Sequence, residues 1–226
     1  MTLIKKKQNL KITFFGDSIF TGQGVSIYKS WVSKIANFLD EYSKNFKYDF
    51  LITNSSVNGR TTRQALEDMQ YQVMSQGVDI LVIQFGLNDC NYWLTDAGMP
   101  RVSKGAYIAN IKEIIDRGFA AGAKQILLNN NHPTSRTIDI IPGTDITFEE
   151  SNKEYSNAIS QECLKFGPRV RFQNIYKSFK DVLHQSNTDI KDFLLEDGLH
   201  LSVKGHETYL NIMQPVIINS IEENFL

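Results

Sequence analysis

The stretch "DILVIQFG", residues 79 to 86, is apolar on consecutive positions rather than alternate ones. A strand with that pattern has no wet face, so it belongs inside a parallel sheet covered by helices on both sides. Shorter apolar runs bounded by Gly, Asn or Asp recur at Ile12 to Phe15, Phe50 to Ile52, Gln125 to Leu128 and Val170 to Phe172. Between the runs, apolar residues return at helical spacing: Trp31, Val32, Ile35, Phe38 and Leu39; Ile108, Ile111, Ile114 and Ile115; Tyr209, Ile212, Met213 and Val216. Strand and helix alternate from end to end, which predicts a doubly wound α/β domain: three layers, α/β/α, around a central parallel sheet of about five strands. Pro215 falls within the last helical pattern, where it either kinks or restarts the helix.

A chain of 226 residues suffices for one domain with a full core, and no linker, repeat or low-complexity tract divides it, so residues 1–226 read as a single domain. With 24 basic against 25 acidic side chains there is no net field to draw the protein to nucleic acid. Lys5, Lys6 and Lys7 resemble the basic start of a signal peptide, but Gln8, Asn9 and Lys11 break the apolar segment that would have to follow. No apolar run approaches the length of a membrane span. Cys90 and Cys163 are too few for a disulfide framework and lack metal-like spacing, so both read as free thiols. The expectation is a cytoplasmic protein with neither metal nor cofactor.

In open parallel sheets, ligands bind outside the carboxyl ends of the strands. Four polar groups fall there or close by: Gly16-Asp17-Ser18, Asn58-Gly59-Arg60, Gly86-Leu87-Asn88-Asp89 and, beyond the fifth strand, Asp197-Gly198-Leu199-His200. At neutral pH a serine hydroxyl attacks an ester only with a base in reach and a third group holding that base. Ser18, His200 and Asp197 fit these roles. A tetrahedral oxyanion also needs donors aimed at it in advance; the candidates are the backbone N–H groups of Ser18 and Gly59 and the side-chain amide of Asn88.

Taken together and in order, "GDSIFTG", "VNGRTT", "GLND" and "DGLH" resemble the four signature blocks of the SGNH hydrolases, also called the GDSL esterase/lipase family. The resemblance implies a flavodoxin-like sheet, Ser18 as nucleophile and oxyanion donor, Gly59 and Asn88 as the other donors, and a catalytic pair of Asp197 and His200. Ile19 stands where the family name has leucine. The Gly-x-Ser-x-Gly elbow of ordinary α/β-hydrolases is absent, which puts the serine near the start of the first helical segment.

Outside the blocks, Asp17 and Asp89 read as structural carboxylates accepting backbone N–H bonds rather than metal ligands. His184 and His206 read as surface or packing residues, and Cys90 as a small buried one. Two segments are expected to rim the cleft: "CNYWLTDAGMPRVS" after the third strand and "HPTSRTIDIIPGTDITF" after the fourth. Neither has the long apolar run a lipase groove needs. Tyr92, Trp93 and His132 are candidate substrate contacts, with a sugar ring packing on one of the aromatics; the alternative for Trp93 is a place in the core. The reading is a serine esterase acting on a short acyl ester, an O-acetyl group of a small polar or carbohydrate substrate. Its rivals are an acyl-thioesterase or lysophospholipase with the same triad, a catalytically silent carbohydrate-binding domain, and a metal-dependent phosphoesterase.

Overall fold

The computed structural model describes residues 8–44 and 46–225, so Lys5, Lys6 and Lys7 lie outside the described residues. Five strands form one parallel sheet: β1 (Gln8–Gly16), β2 (Tyr48–Asn54), β3 (Ile80–Gln84), β4 (Gln125–Asn129) and β5 (Val170–Gln173), in the order β2-β1-β3-β4-β5. Every residue of β3 and β4 is buried, as the consecutive apolar runs require, whereas β5 and much of β2, at the sheet's two edges, are only half covered.

Helices cover both faces. On one lie α2 (Trp31–Ser43), α6 (Ile175–Ser186) and α7 (Val203–Phe225); on the other, α3 (Thr62–Gln72), α4 (Lys104–Ala120) and α5 (Phe148–Glu162). Under the first layer, Trp31 stacks on Tyr209 with ring centroids 4.6 Å apart, and Phe14 and Phe20 meet Trp31 edge-on. Ile111, Ile114 and Ile115 bury the inner face of α4. Helix α7 runs through Pro215 without a break. The ring removes one backbone donor, but packing along Tyr209, Met213 and Ile217 holds the helix together on both sides of it.

The sheet order positions the site. From β1 the chain moves outward to β2 and then crosses back to β3 on the other side of β1, making a topological switch point between β1 and β3. The register places Gly16 opposite Gln84, Gln84 opposite Asn129 and Asn129 opposite Gln173, so these strands end level at one edge. Among the described residues, no helix is long and apolar enough to cross a membrane, and no cluster of three or more His, Cys, Asp or Glu could hold a metal ion. Both cysteines are free, and Cys90 is buried.

Candidate active site

Ser18 is the first residue of a one-turn helix, α1 (Ser18–Thr21), that starts directly after β1. Asp17 caps that turn: its carboxylate accepts the Ile19 N–H at 3.0 Å. Gly22 closes it in the left-handed region at φ 78°, donating to the Ser18 carbonyl. The turn is therefore fixed at both ends and presents the Ser18 hydroxyl to the strand edge.

His200 reaches Ser18 from the segment between β5 and α7. Its Nε2 lies 3.0 Å from Ser18 Oγ, and its Nδ1 lies 2.5 Å from Asp197 Oδ2. The other carboxylate oxygen of Asp197 accepts the backbone N–H groups of Leu199, at 2.9 Å, and His200, at 3.0 Å. This local turn lets an aspartate three positions before the histidine meet its ring. Partial burial alone would raise the Asp197 pKa, but the bonds from His200 and the two backbone groups outweigh it and hold the carboxyl below the usual range. The lowered pKa favours the anionic form of Asp197 beside the His200 ring.

Gly59 sits in the turn between β2 and α3 with φ 74°, a backbone state open to glycine at little cost. A Cβ there would point into open space, so the strain of the φ angle rather than crowding makes glycine the fit. The turn leads into α3, which begins with a reciprocal cap between Thr61 and Gln64. Asn88 lies in the turn after β3. Beside it, the Asp89 carboxylate accepts both the backbone N–H and the hydroxyl of Thr62, at 3.0 and 2.5 Å, tying the Asn88 turn to the start of α3. Burial pushes the carboxyls of Asp17 and Asp89 up, to about 7 and about 6, although hydrogen bonds to each pull the other way. Both carboxylates hold backbone in place, as the sequence suggests.

Ser18, Gly59, Asn88 and His200 line one cavity of about 230 Å³. Gln23, Asn91 and Arg136 add polar walls, and Leu87 and Leu199 supply the apolar part. The three expected substrate contacts are elsewhere. His132 has no exposed surface: its Nε2 lies 2.8 Å from the Leu199 carbonyl, its ring packs near Phe179, and burial lowers its pKa to about 4. It braces the residue preceding His200 and has no access to a ligand. Tyr92 is half-buried against the core and does not line the cavity. Trp93 is 54% exposed, not in the core, and lines a separate hollow of about 410 Å³ with Thr61, Gln64, Met99 and Arg101.

The second loop also differs from expectation. Its first residues, His132 to Thr134, are buried together with Asn130 and Asn131 before them, and the Thr134 N–H and hydroxyl are both held by Glu149 at 2.7 Å. From that loop Arg136 lines the cavity, anchored by its Nε bond to the Asp197 carbonyl at 2.9 Å. Gln23 escapes the sequence reading because only the tight close of α1 brings it to the edge. His206 is buried near the Trp31 N–H, and its pKa is lowered to about 4 by burial.

A family model described as the GDSL-like lipase/acylhydrolase family matches residues 14–208. The chain belongs to that family. All four polar blocks lie within the matched span. Among curated proteins, the chain is similar to an arylesterase of Vibrio mimicus, 24% identical over 123 residues, covering 54% of this chain and 56% of the relative. It is also similar to an uncharacterized lipoprotein, YqeF, of Bacillus subtilis, 38% identical over 77 residues, covering 34% and 31% respectively. The similar region thus spans about half the length of the first relative and about a third of the second. Among solved structures, an acetylxylan esterase from Geobacillus stearothermophilus superposes with a TM-score of 0.73 at 20% identity, over 93% of this chain and 95% of its own. A second acetylxylan esterase gives 0.73 at 18%, over 92% and 100%. At these identities the superpositions establish the shared three-layer fold of this GDSL-family chain.

Proposed function

We propose that this GDSL-family chain is a serine esterase that removes a short acyl group, an O-acetyl, from a small polar or carbohydrate alcohol. The observation that carries the reading is the hydrogen-bonded chain Ser18 Oγ, His200 Nε2, His200 Nδ1, Asp197 Oδ2, with links of 3.0 and 2.5 Å, opening into a polar cavity. His200 takes the Ser18 proton as Oγ attacks the ester carbonyl, and Asp197 steadies the imidazolium. The oxyanion is received by the N–H groups of Ser18 and Gly59 and by the Asn88 amide. His200 then returns the proton to the departing alcohol. Water, activated by the same imidazole, cleaves the acyl-Ser18 ester.

Cavity size and lining support the choice of substrate. A volume of about 230 Å³ is below the ~300–1,000 Å³ of sites that enclose drug-sized ligands. Gln23, Asn91 and Arg136 offer donors to a hydroxylated alcohol, and Leu87 and Leu199 offer little surface to a long acyl tail. The names of the arylesterase relative and the acetylxylan esterase neighbours agree with ester substrates.

The test is a series of p-nitrophenyl esters from acetate to palmitate, run beside an acetylated sugar. Turnover should be highest with acetate, fall steeply with chain length, and extend to the sugar ester. Activity that rises with chain length would replace this reading with a lysophospholipase or thioesterase. Absence of turnover on every ester would leave a silent binding domain.

A further inference from the structure

The loop that leaves β3 after Asn88 ends where it began. Backbone bonds from Arg101 N–H to the Asn91 carbonyl, 2.8 Å, and from Val102 N–H to the Asp89 carbonyl, 3.1 Å, close it on itself. The closure delivers the Arg101 guanidinium to the back of the proposed oxyanion hole. One nitrogen, Nη1, donates both to the Gly59 carbonyl at 3.1 Å and to Asn88 Oδ1 at 3.3 Å. Arg101 does not line the cavity that holds Ser18 and His200. It therefore touches two of the proposed donors without meeting the reacting atoms.

We propose that Arg101 is a positioning residue that sets the polarity of the oxyanion hole, an inference that rests on Asn88 and Gly59 serving as its donors. A side-chain amide has two orientations related by a half-turn, one presenting N–H groups to the hole and the other presenting oxygen. Arg101 engages the oxygen from one side. From the other, Asp17 Oδ2 lies 3.5 Å from Asn88 Nδ2, leaving the second N–H for the cavity. Turning the amide over would set its NH2 against the guanidinium and its oxygen against the acidic side of the site, so the two flanking groups disfavour the orientation that would repel an oxyanion. The bond to the Gly59 carbonyl also ties down the turn in which that glycine holds its positive φ of 74°. The cation sits 4.4 Å from the centroid of Trp93, which gives that half-exposed ring a role as the platform restricting the guanidinium.

The test measures kcat, KM and thermal unfolding on p-nitrophenyl acetate for the wild type, Asn88→Ala, Arg101→Met, Arg101→Lys, Trp93→Ala and the double variant Asn88→Ala/Arg101→Met. Arg101→Met should lower kcat by roughly 10- to 100-fold with KM within about twofold, because only the developing oxyanion feels a misdirected amide. Arg101→Lys should recover most of the loss, since one ammonium can serve both acceptors as Nη1 does. In the Asn88→Ala background the further loss should shrink to about threefold or less, the signature of residues acting through one another. Equal losses in both backgrounds, or a loss confined to KM, would overturn the proposal. Should Arg101→Met fail to fold, Trp93→Ala decides: a several-fold fall in kcat on the acetate ester supports it. A rise in KM for an acetylated sugar at unchanged kcat overturns it and returns Trp93 to substrate binding. Full activity in Asn88→Ala would instead remove the oxyanion assignment on which the inference stands.

Discussion

His132 and His200 meet at adjacent residues yet have opposite environments. The His200 ring bridges Ser18 and Asp197 at the cavity wall, whereas the His132 ring lies wholly inside and holds the Leu199 carbonyl next door. The same division runs through the whole site. In an upper layer, Ser18, Asn88, Gly59 and His200 line the cavity, Ser18 with little exposed area; in a lower one, Asp17, Asp89, His132 and Glu149 are buried away from it and engaged with backbone groups of neighbouring segments. The upper layer has the geometry for chemistry, and the lower layer fixes where it sits. Buried polar groups are stabilising only when their partners are in place, so the lower layer makes the upper one rigid.

The largest losses of activity should come from substitutions in the upper layer. His200→Ala should lower kcat by on the order of 10⁴-fold or more with thermal unfolding little changed, because the proposed nucleophile and base would act as a unit. Asp197→Ala should be somewhat less severe, as its loss leaves a base that is only poorly oriented. Steady-state kinetics beside a melting curve checks both, and a loss of stability matching the loss of activity would erase the distinction between layers.

The lower layer should respond through stability and pH, with opposite signs at two positions. His132 is held neutral, its pKa near 4 against an ordinary 6.5. Between those values the unfolded chain takes up the proton first, so the native state loses stability as pH falls from 6.5 toward 4. His132→Gln keeps a donor for the Leu199 carbonyl and removes the titration. Its melting temperature relative to wild type should therefore rise steadily over that interval, and a difference that stays constant would contradict the buried neutral ring. Asp17 titrates the other way. With its pKa raised from 3.8 to about 7, the folded state holds a proton that the unfolded chain has given up, so stability falls as pH rises across that window. The full effect is on the order of a few kcal/mol. Asp17→Asn removes the charge, and its melting temperature relative to wild type should climb from pH 4 to pH 7. A flat difference would place Asp17 among ordinary carboxylates.

The two layers also differ in how far the sequence discloses them. The strands show in runs such as Ile80 to Gln84 because a doubly covered strand has no polar face. The same logic weakens at the edge, where β2 extends on both sides of its short apolar run into half-exposed residues. Helix α7 carries Pro215 without interruption because side-chain packing, which no propensity records, outweighs one missing bond. In the site, residue type and order point to Ser18, Gly59, Asn88 and His200, which the fold brings to one cavity, because the proposed ester chemistry calls for those residue types. His132 misleads because its position after β4 indicates the correct edge of the sheet but not its depth, and depth is decided by how Asn130 to Thr134 turn inward. Tyr92 and Trp93 lie off the cavity for a related reason: the loop doubles back on Asn91, leaving one ring against the core and the other beside Arg101. Arg101 itself carries no local signal, because its partners belong to turns that only the folded sheet brings together.

The proposed roles of Ser18 as the attacking residue and His200 as its base can be checked by labelling with a fluorophosphonate followed by peptide mass spectrometry. One adduct is expected, on the Ser18 peptide, absent from Ser18→Ala and slowed by several orders of magnitude in His200→Ala. Labelling at another serine, or a Ser18→Ala variant that keeps most of its esterase activity, would contradict it.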